Sequence, residues 1–152
     1  MPDTDEHWME AALAEAGRAE HEGEVPVGAV LVREGAVLAA AHNQTLALND
    51  PTAHAEILAL RRGAEALGNH RLTDCDLYVT LEPCAMCVGA AVQGRIRRLV
   101  FGAPDPRWGA LGPRLDLGRP GLFNHDLALT GGVRADASRA MLQAFFARKR
   151  TP

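Results

Sequence analysis

Two short segments carry the residue types best suited to chemistry: His-Ala-Glu at positions 54–56 and Pro-Cys-Ala-Met-Cys at positions 83–87. The spacing of Cys84 and Cys87 puts two thiolates about one helical turn apart, so that both can bind one tetrahedral zinc ion at about 2.3 Å. The imidazole of His54 makes a third ligand. A structural zinc site normally has a fourth protein ligand, whereas three ligands leave a position for water. The pattern therefore predicts one catalytic zinc ion per chain.

Glu56 follows the histidine by two residues and is not needed as a ligand. We expect its carboxylate to take a proton from the zinc-bound water, which makes it the predicted catalytic acid and base of a hydrolytic reaction. The same cysteine spacing also occurs in redox pairs and in halves of four-thiolate zinc sites. A redox pair leaves the His-Ala-Glu segment unexplained, and a four-thiolate site needs a second pair, whereas the only other cysteine is Cys75. We therefore expect Cys75 not to bind the metal.

The residues around both segments extend this pattern. Residues 49–61 (NDPTAHAEILALR) and 77–87 (LYVTLEPCAMC) resemble the zinc nucleoside deaminases, and within that superfamily the bacterial tRNA-specific adenosine deaminases. The resemblance covers nearly the whole chain. Departures from the family lie in loops, such as residues 44–48 and 107–123, where substrate contacts are common.

The resemblance implies a fold, a reaction and partners. The fold is a three-layer α/β/α, cytidine-deaminase-like arrangement with a mixed central sheet. The reaction is hydrolytic deamination of adenosine to inosine at the wobble position of tRNA anticodons. Zinc hydroxide attacks C6 of a flipped-out adenine, while Glu56 carries protons to ring N1 and to the departing ammonia. The implied partners are the tRNA anticodon stem-loop, whose loop bases are already unpaired, and a second copy of the chain in a homodimer.

The resemblance also assigns four residues to the substrate: Asn43, Val27, Asp105 and Phe146. Asn43 would read the edge of the purine, because a carboxamide both donates and accepts hydrogen bonds, and Val27 would line the base pocket. Asp105 matches a loop that approaches the flipped nucleotide, and Phe146 would stack on an RNA base. Each has an alternative interpretation. Asn43 and Asp105 could simply shape turns, and Val27 and Phe146 could simply pack in the core.

Composition limits the class and the location of the protein. The chain has 152 residues, which suits a single deaminase domain over residues 1–152, and 47% of them are hydrophobic. No apolar run approaches the roughly 20 residues that cross a membrane, and the acidic start at residues 3–6 is unlike a secretory signal peptide. Two of the three cysteines are assigned to metal, so we expect a reducing compartment, by default the cytoplasm.

The net charge of −3 conceals an uneven distribution. Residues 1–92 carry 5 basic and 15 acidic side chains, whereas residues 93–152 carry 11 basic and 4 acidic ones. A basic C-terminal part suits a phosphate backbone, because each Lys or Arg contact releases condensed counterions. Arginine supplies 15 of the 16 basic residues, so the same excess could equally be the solvated surface of a protein from an arginine-rich proteome.

Hydrophobic periodicity and turn residues predict the order of the elements. A helix over 5–21 precedes a hairpin of strands 27–32 and 37–41, after which helices and strands alternate. The later elements are a helix that starts near 49–52, a strand at 77–81, a helix from Pro83, a strand at 98–101, a loop to about 132, and a helix at 136–148 with its phenylalanines facing inward. Both metal-binding segments then lie at helix N-termini, where unpaired N–H groups favour thiolates.

Two other functions fit the same residues. A zinc-dependent deaminase of a free base or nucleotide, of the guanine or cytosine type, shares the metal-binding motif, although the basic segment at 148–150 argues against it. A non-catalytic zinc-binding partner subunit of a deaminase heterodimer is the third candidate. The presence of Glu56 argues against that role.

Overall fold

A five-stranded sheet organises the chain in the computed structural model, which describes residues 4–149 and the backbone of Arg150. The elements in chain order are α1 (Asp5–His21), β1 (Gly28–Arg33), β2 (Ala36–His42), α2 (Ala55–Leu67), β3 (Cys75–Leu81), α3 (Ala85–Gln93), β4 (Arg98–Ala103), β5 (Ala128–Thr130) and α4 (Ala135–Arg150). The sheet order is β2-β1-β3-β4-β5; β1 is antiparallel to both neighbours, whereas β3, β4 and β5 run parallel. The predicted mixed sheet is confirmed. Asp3 and the Arg150 side chain lie outside the described residues.

Helices cover both faces of the sheet, because successive strand side chains point to opposite sides. Leu31 and Leu77 join a core with α2 and α3, whereas Val30 and Tyr78 join a second core with Trp8 of α1. Helix α4 packs against β4 and β3 and also contacts α1. The predicted three-layer α/β/α arrangement is therefore confirmed. None of the helices described is long and apolar enough to cross a membrane.

One end of the sheet collects the segments that carry the candidate site. The strand register pairs Gly28 with His42, so the start of β1 lies beside the end of β2. It also pairs Leu81 with Ala103, so β3 and β4 end together. A Cβ at Gly28 would collide with backbone atoms of α1, so glycine is what lets α1 lie directly against this end of the sheet.

Three predicted elements differ from the structure. Helix α3 begins at Ala85 instead of at Pro83, which precedes the N-cap residue and so lies outside the first turn. Helix α2 begins at Ala55 instead of near 49–52, because the preceding residues form a turn: the Asp50 carboxylate accepts hydrogen bonds from the backbone N–H and the hydroxyl of Thr52, at 2.8 and 2.7 Å. Strand β5 lies in the segment predicted as a loop. Its three residues are too few to show an alternating pattern, and its pairing with β4 alone defines it.

Candidate metal centre and substrate pocket

Two helix N-termini bring the three predicted metal ligands together. His54 is the N-cap residue of α2, Cys84 is the N-cap residue of α3, and Cys87 lies in the first turn of α3. His54 Nδ1 lies 3.6 Å from the Cys84 Sγ and 3.5 Å from the Cys87 Sγ. A nitrogen and a sulfur bound to one tetrahedral zinc ion are about 3.5 Å apart. One nitrogen and two sulfurs at this spacing fit zinc and leave a fourth position for water.

His54, Cys84 and Cys87 form what we call the metal corner, and its electrostatics favour metal binding. The Cys87 thiol donates a hydrogen bond to Cys84, which lowers the pKa of Cys84 to about 4, and His54 adds to the effect. The pKa of Cys87 is raised, because its proton is held by Cys84 and the side chain is buried. The hydrogen bond with Cys84 also raises the pKa of His54. The two thiols thus differ in how readily they ionise, and a metal ion would displace the proton from Cys87.

Glu56 lies beside the ligands without joining them. Its side chain is in the first turn of α2, is only 4% exposed, and does not belong to the group of three possible ligands. Burial raises the pKa of this carboxyl above its usual value, and a hydrogen bond from its own backbone N–H, together with the nearby His54, partly opposes the shift. A buried carboxyl with a raised pKa can both take and give a proton near neutral pH.

A cavity of about 660 Å³ opens in front of this corner. Its volume falls within the range of roughly 300–1,000 Å³ that is usual for small-molecule sites. The cavity is lined by seven of the eight predicted site residues: Val27, Asn43, His54, Glu56, Cys84, Asp105 and Phe146. Cys87 is fully buried behind them. The structure therefore brings all eight to one place, although they come from three helices and three loop segments spread over 120 positions of the sequence.

Asn43 and Val27 form one wall of the cavity. Both are largely buried, and the Asn43 backbone N–H donates to the Val27 carbonyl at 3.1 Å. Within the described part of the chain, no group hydrogen-bonds to the Asn43 carboxamide, so its donor and acceptor face the cavity. A side chain that shapes a turn would bond to nearby backbone groups. The geometry therefore favours the ligand-contacting interpretation of Asn43.

Asp105 and Phe146 lie on the other wall. The Asp105 carboxylate accepts hydrogen bonds from the backbone N–H groups of Arg107 and Trp108 at 3.0 and 3.2 Å, so it does shape a turn. Phe146 is 43% exposed and meets Phe145 edge to face, with ring centroids 5.3 Å apart. The prediction that both phenylalanines face inward is wrong for Phe146, because one step along the helix turns its ring from the core to the cavity.

Among the cavity residues that the sequence analysis did not predict, Glu82 and Trp108 stand out by their burial and their exposure, respectively. Glu82 precedes the metal-binding segment and is 6% exposed; its carboxylate accepts hydrogen bonds from the backbone N–H groups of Asp105 and Leu111, both at 2.9 Å. A Cβ at Gly109 would collide with this carboxyl, so the loop wraps closely around it. In the sequence, only the position of Glu82 next to Pro83 and Cys84 could have suggested that it belongs to the site. No motif around Trp108 suggested a role for it.

Other charged and sulfur-bearing residues lie away from this corner. Cys75 is fully buried at the start of β3 and does not belong to the ligand group, as predicted. On α4, Arg148 hydrogen-bonds to Glu20 at 2.8 Å, and the Lys149 ammonium lies 5.4 Å from the centre of the Phe145 ring. Part of the C-terminal positive charge is therefore used within the chain.

Known proteins are similar to this chain in sequence and in fold. The model of the family "Cytidine and deoxycytidylate deaminase zinc-binding region" matches residues 2–103. The tRNA-specific adenosine deaminase of Haemophilus influenzae is 48% identical over 147 residues, which cover 96% of this chain and 85% of that protein.

Two solved structures are similar over most of their length. One comes from work on A-to-I editing by tRNA:A34 deaminases at the wobble position of transfer RNA; it has a TM-score of 0.84 and 47% identity, and the match covers 90% of this chain and 99% of that one. The other is the guanine deaminase of Nitrosomonas europaea, with a TM-score of 0.79, 29% identity, and coverage of 95% and 85%. The family model covers the segments that carry the three metal ligands, and the match to the Haemophilus influenzae protein covers nearly the whole chain. This protein therefore belongs to the zinc-dependent deaminase family, among the tRNA-specific adenosine deaminases.

Proposed function

We propose that this chain converts adenosine to inosine at the wobble position of tRNA anticodons. The observation that carries the proposal is the extent of the match: a tRNA-specific adenosine deaminase shares nearly half of its residues over 96% of the chain. The geometry agrees, because a metal corner, a buried proton carrier and a cavity large enough for a base lie together. In this proposal, residues 1–152 form a single deaminase domain.

His54, Cys84 and Cys87 would hold the zinc ion, which supplies a water deprotonated near neutral pH. Glu56 performs the proton transfers of the reaction. Its carboxylate takes the proton of the attacking water, delivers it to N1 of the adenine, and then helps ammonia to leave from C6. Water and adenosine thus give inosine and ammonia. Burial in the cavity floor holds Glu56 within reach of these atoms and keeps other water away.

The cavity walls orient the base. Asn43 offers its carboxamide to the purine edge, and Val27 provides an apolar surface against the ring. Asp105 lies where the nucleotide enters, and the exposed ring of Phe146 offers a surface for stacking. The anticodon loop already presents unpaired bases, so little energy is needed to place one of them in the cavity.

Two copies of the chain form the functional unit in this proposal. The outer side of α3 supports it: Ala85 and Met86 are exposed, and a Cβ at Gly89 would meet no other atom within 4 Å. The small residues Ala85 and Gly89 allow a second copy to approach closely. Of the two other small residues predicted for this contact, Ala90 is partly buried against the core and Ala91 is fully buried in it. Light scattering of the purified protein should give twice the 16.2 kDa mass of the chain. We also place the protein in the cytoplasm.

The decisive experiment compares substrates for the purified chain alone. An anticodon stem-loop with adenosine at the wobble position should yield inosine far faster than free adenosine does, and guanine and cytidine should remain unchanged. Guanine deamination without inosine in RNA would favour the free-base alternative, which the 29% identical guanine deaminase structure makes the second candidate. No turnover of any substrate, with zinc bound, would instead favour a non-catalytic partner subunit.

A further inference from the structure

Trp108 is the most exposed large apolar side chain in the described part of the molecule, at 71%. It lies at the rim of the cavity that also contains His54 and Glu56. The other tryptophan, Trp8, lies on α1 and is buried in the core between that helix and the sheet. An indole with most of its surface exposed contributes little to folding, so its position at the entrance of the site needs another explanation.

The segment that carries Trp108 is held in place. The backbone N–H of Trp108 donates to the Asp105 carboxylate at 3.2 Å. The backbone N–H of Asp105 in turn donates to the Glu82 carboxylate. The backbone N–H of Leu111 binds the same carboxylate at 2.9 Å on the other side of the tryptophan. The indole is thus presented by a fixed segment, which reduces the ordering cost of any contact that it makes.

The surroundings of Trp108 indicate what it contacts. Arg107 is the adjacent residue and lines the same cavity, and the exposed ring of Phe146 lies in the wall of that cavity. Aromatic faces combined with cations are how proteins hold single-stranded nucleic acid, because every base has a face that can stack. With 71% of its surface open, most of the indole faces solvent beyond the cavity, where the nucleotides next to the reacting one must pass.

We propose that Trp108 stacks on the nucleobase immediately next to the adenosine that enters the cavity. The inference rests on the proposed function, since it requires an RNA strand in the site. Trp108 then raises the affinity for an RNA loop over that for a free nucleoside, which has no neighbouring base. It does so without selecting among the four bases, because stacking tolerates any of them.

The test measures binding of an anticodon stem-loop to variants made in a Glu56→Ala background, so that turnover does not interfere. Trp108→Ala should weaken binding by about 5- to 150-fold, the range that alanine substitution of a stacked aromatic produces. Trp108→Phe should weaken it less. Val37→Ala is the matched control, since Val37 is exposed but lies at the end of β2 remote from Asn43, and its binding should equal that of the parent.

Two further RNAs identify the stacked base. Each lacks one base, on the 5′ or the 3′ side of the target adenosine. With one of them, the parent and Trp108→Ala should bind equally, because the partner of the indole is gone. In a Trp8→Phe background, Trp108 is the sole tryptophan, and the intact RNA should quench its fluorescence more than that abasic RNA does.

Equal binding of parent and Trp108→Ala, or an undiminished difference with both abasic RNAs, would overturn the inference. The failure of the proposed function looks different: the unmodified enzyme would then form no inosine in the intact stem-loop. If inosine forms and Trp108→Ala binds like its parent, only the role of Trp108 is wrong.

Discussion

The metal corner and the loop at residues 104–112 face each other across one cavity, yet they are built differently. Regular elements place the corner: His54 and Cys84 cap two helices, and the core holds both helices against the sheet. The loop contains no helix or strand. It is held by the Glu82 carboxylate, which accepts from two of its backbone N–H groups, and by Ala110, which is buried and donates its N–H to the Pro83 carbonyl at 3.0 Å. The groups for the reaction thus rest on regular elements, whereas the groups at the entrance rest on a loop with fewer contacts, two of which a single substitution of Glu82 removes.

Three buried glutamates show the same contrast. The carboxylates of Glu24 and Glu82 are each bonded to backbone N–H groups of a loop, at residues 44–48 and 104–112 respectively. Glu56 faces the cavity beside the metal ligands, and burial raises its pKa. A glutamate whose oxygens are occupied by the backbone serves structure, and one whose oxygens face a cavity is available for proton transfer.

The largest effect should come from removing a metal ligand. We expect Cys87→Ser to lose its zinc and all detectable inosine formation, because the ion cannot be held tightly by the two remaining ligands. Elemental analysis and zinc-edge absorption check the result: the parent should hold one zinc per chain with one nitrogen and two sulfurs. Cys75→Ser is the matched control and should keep its zinc. Zinc loss in the control would make Cys75 a ligand.

Glu56→Gln should give the next largest effect and separates proton transfer from metal binding. The amide keeps the size of the side chain but cannot carry protons, so kcat should fall by about 10²–10⁴-fold. Zinc content and the affinity for the stem-loop should not change. A variant that loses its zinc would show that Glu56 is a ligand, and one with full turnover would refute its catalytic role.

Removal of the Glu82 carboxylate should disturb the loop and spare the corner. Glu82→Ala leaves the backbone N–H groups of Asp105 and Leu111 without acceptors, which should lower the free energy of unfolding by about 1–3 kcal/mol. The KM for RNA should rise more than kcat falls, zinc should stay bound, and Trp108 fluorescence in a Trp8→Phe background should shift.

Glu24→Ala is the matched control for that experiment, since it releases the loop at 44–48 instead. It should leave the Trp108 fluorescence as it is. If both variants shifted the fluorescence alike, the Glu82 effect would be general destabilisation. If Glu82→Ala lost its zinc, the loop and the corner would not be independent.

The smallest effect concerns the opposite end of the sheet. Arg98 binds the Asp5 carboxylate through two hydrogen bonds of 2.7 Å, and this contact holds the pKa of Asp5 below its ordinary value of 3.8. The ion pair therefore stabilises the fold above that pH, and its contribution is lost as the pH falls through the lower folded-state pKa. Asp5→Asn should flatten the loss of stability below about pH 4, as measured by urea unfolding, and leave inosine formation unchanged at neutral pH. Asp136→Asn, which removes a fully exposed partner of Arg139, should change neither.

The metal corner could be predicted from the sequence because its geometry is local. Two cysteines three positions apart fall within one helical turn. Periodicity likewise predicted the order of helices and strands, apart from β5 and the exact starts of α2 and α3. Strand β5 depends on its partner β4, and the turn at Asp50 depends on side-chain hydrogen bonds that compete with the helix.

The sequence by itself was enough to predict the metal ligands, the proton carrier and a layered α/β fold, because residue types at short spacing indicate the site and hydrophobic periodicity indicates the elements. Only the tertiary structure decided how the cavity is walled. The orientation of α4 places Phe146 in the cavity wall and buries Phe145. The Glu82 carboxylate accepts a hydrogen bond from the backbone N–H of Asp105, about 20 positions later in the chain. Trp108, which follows β4, lines the same cavity as Cys84, which follows β3, because the two strands end together; no short segment of the sequence contains that parallel pairing.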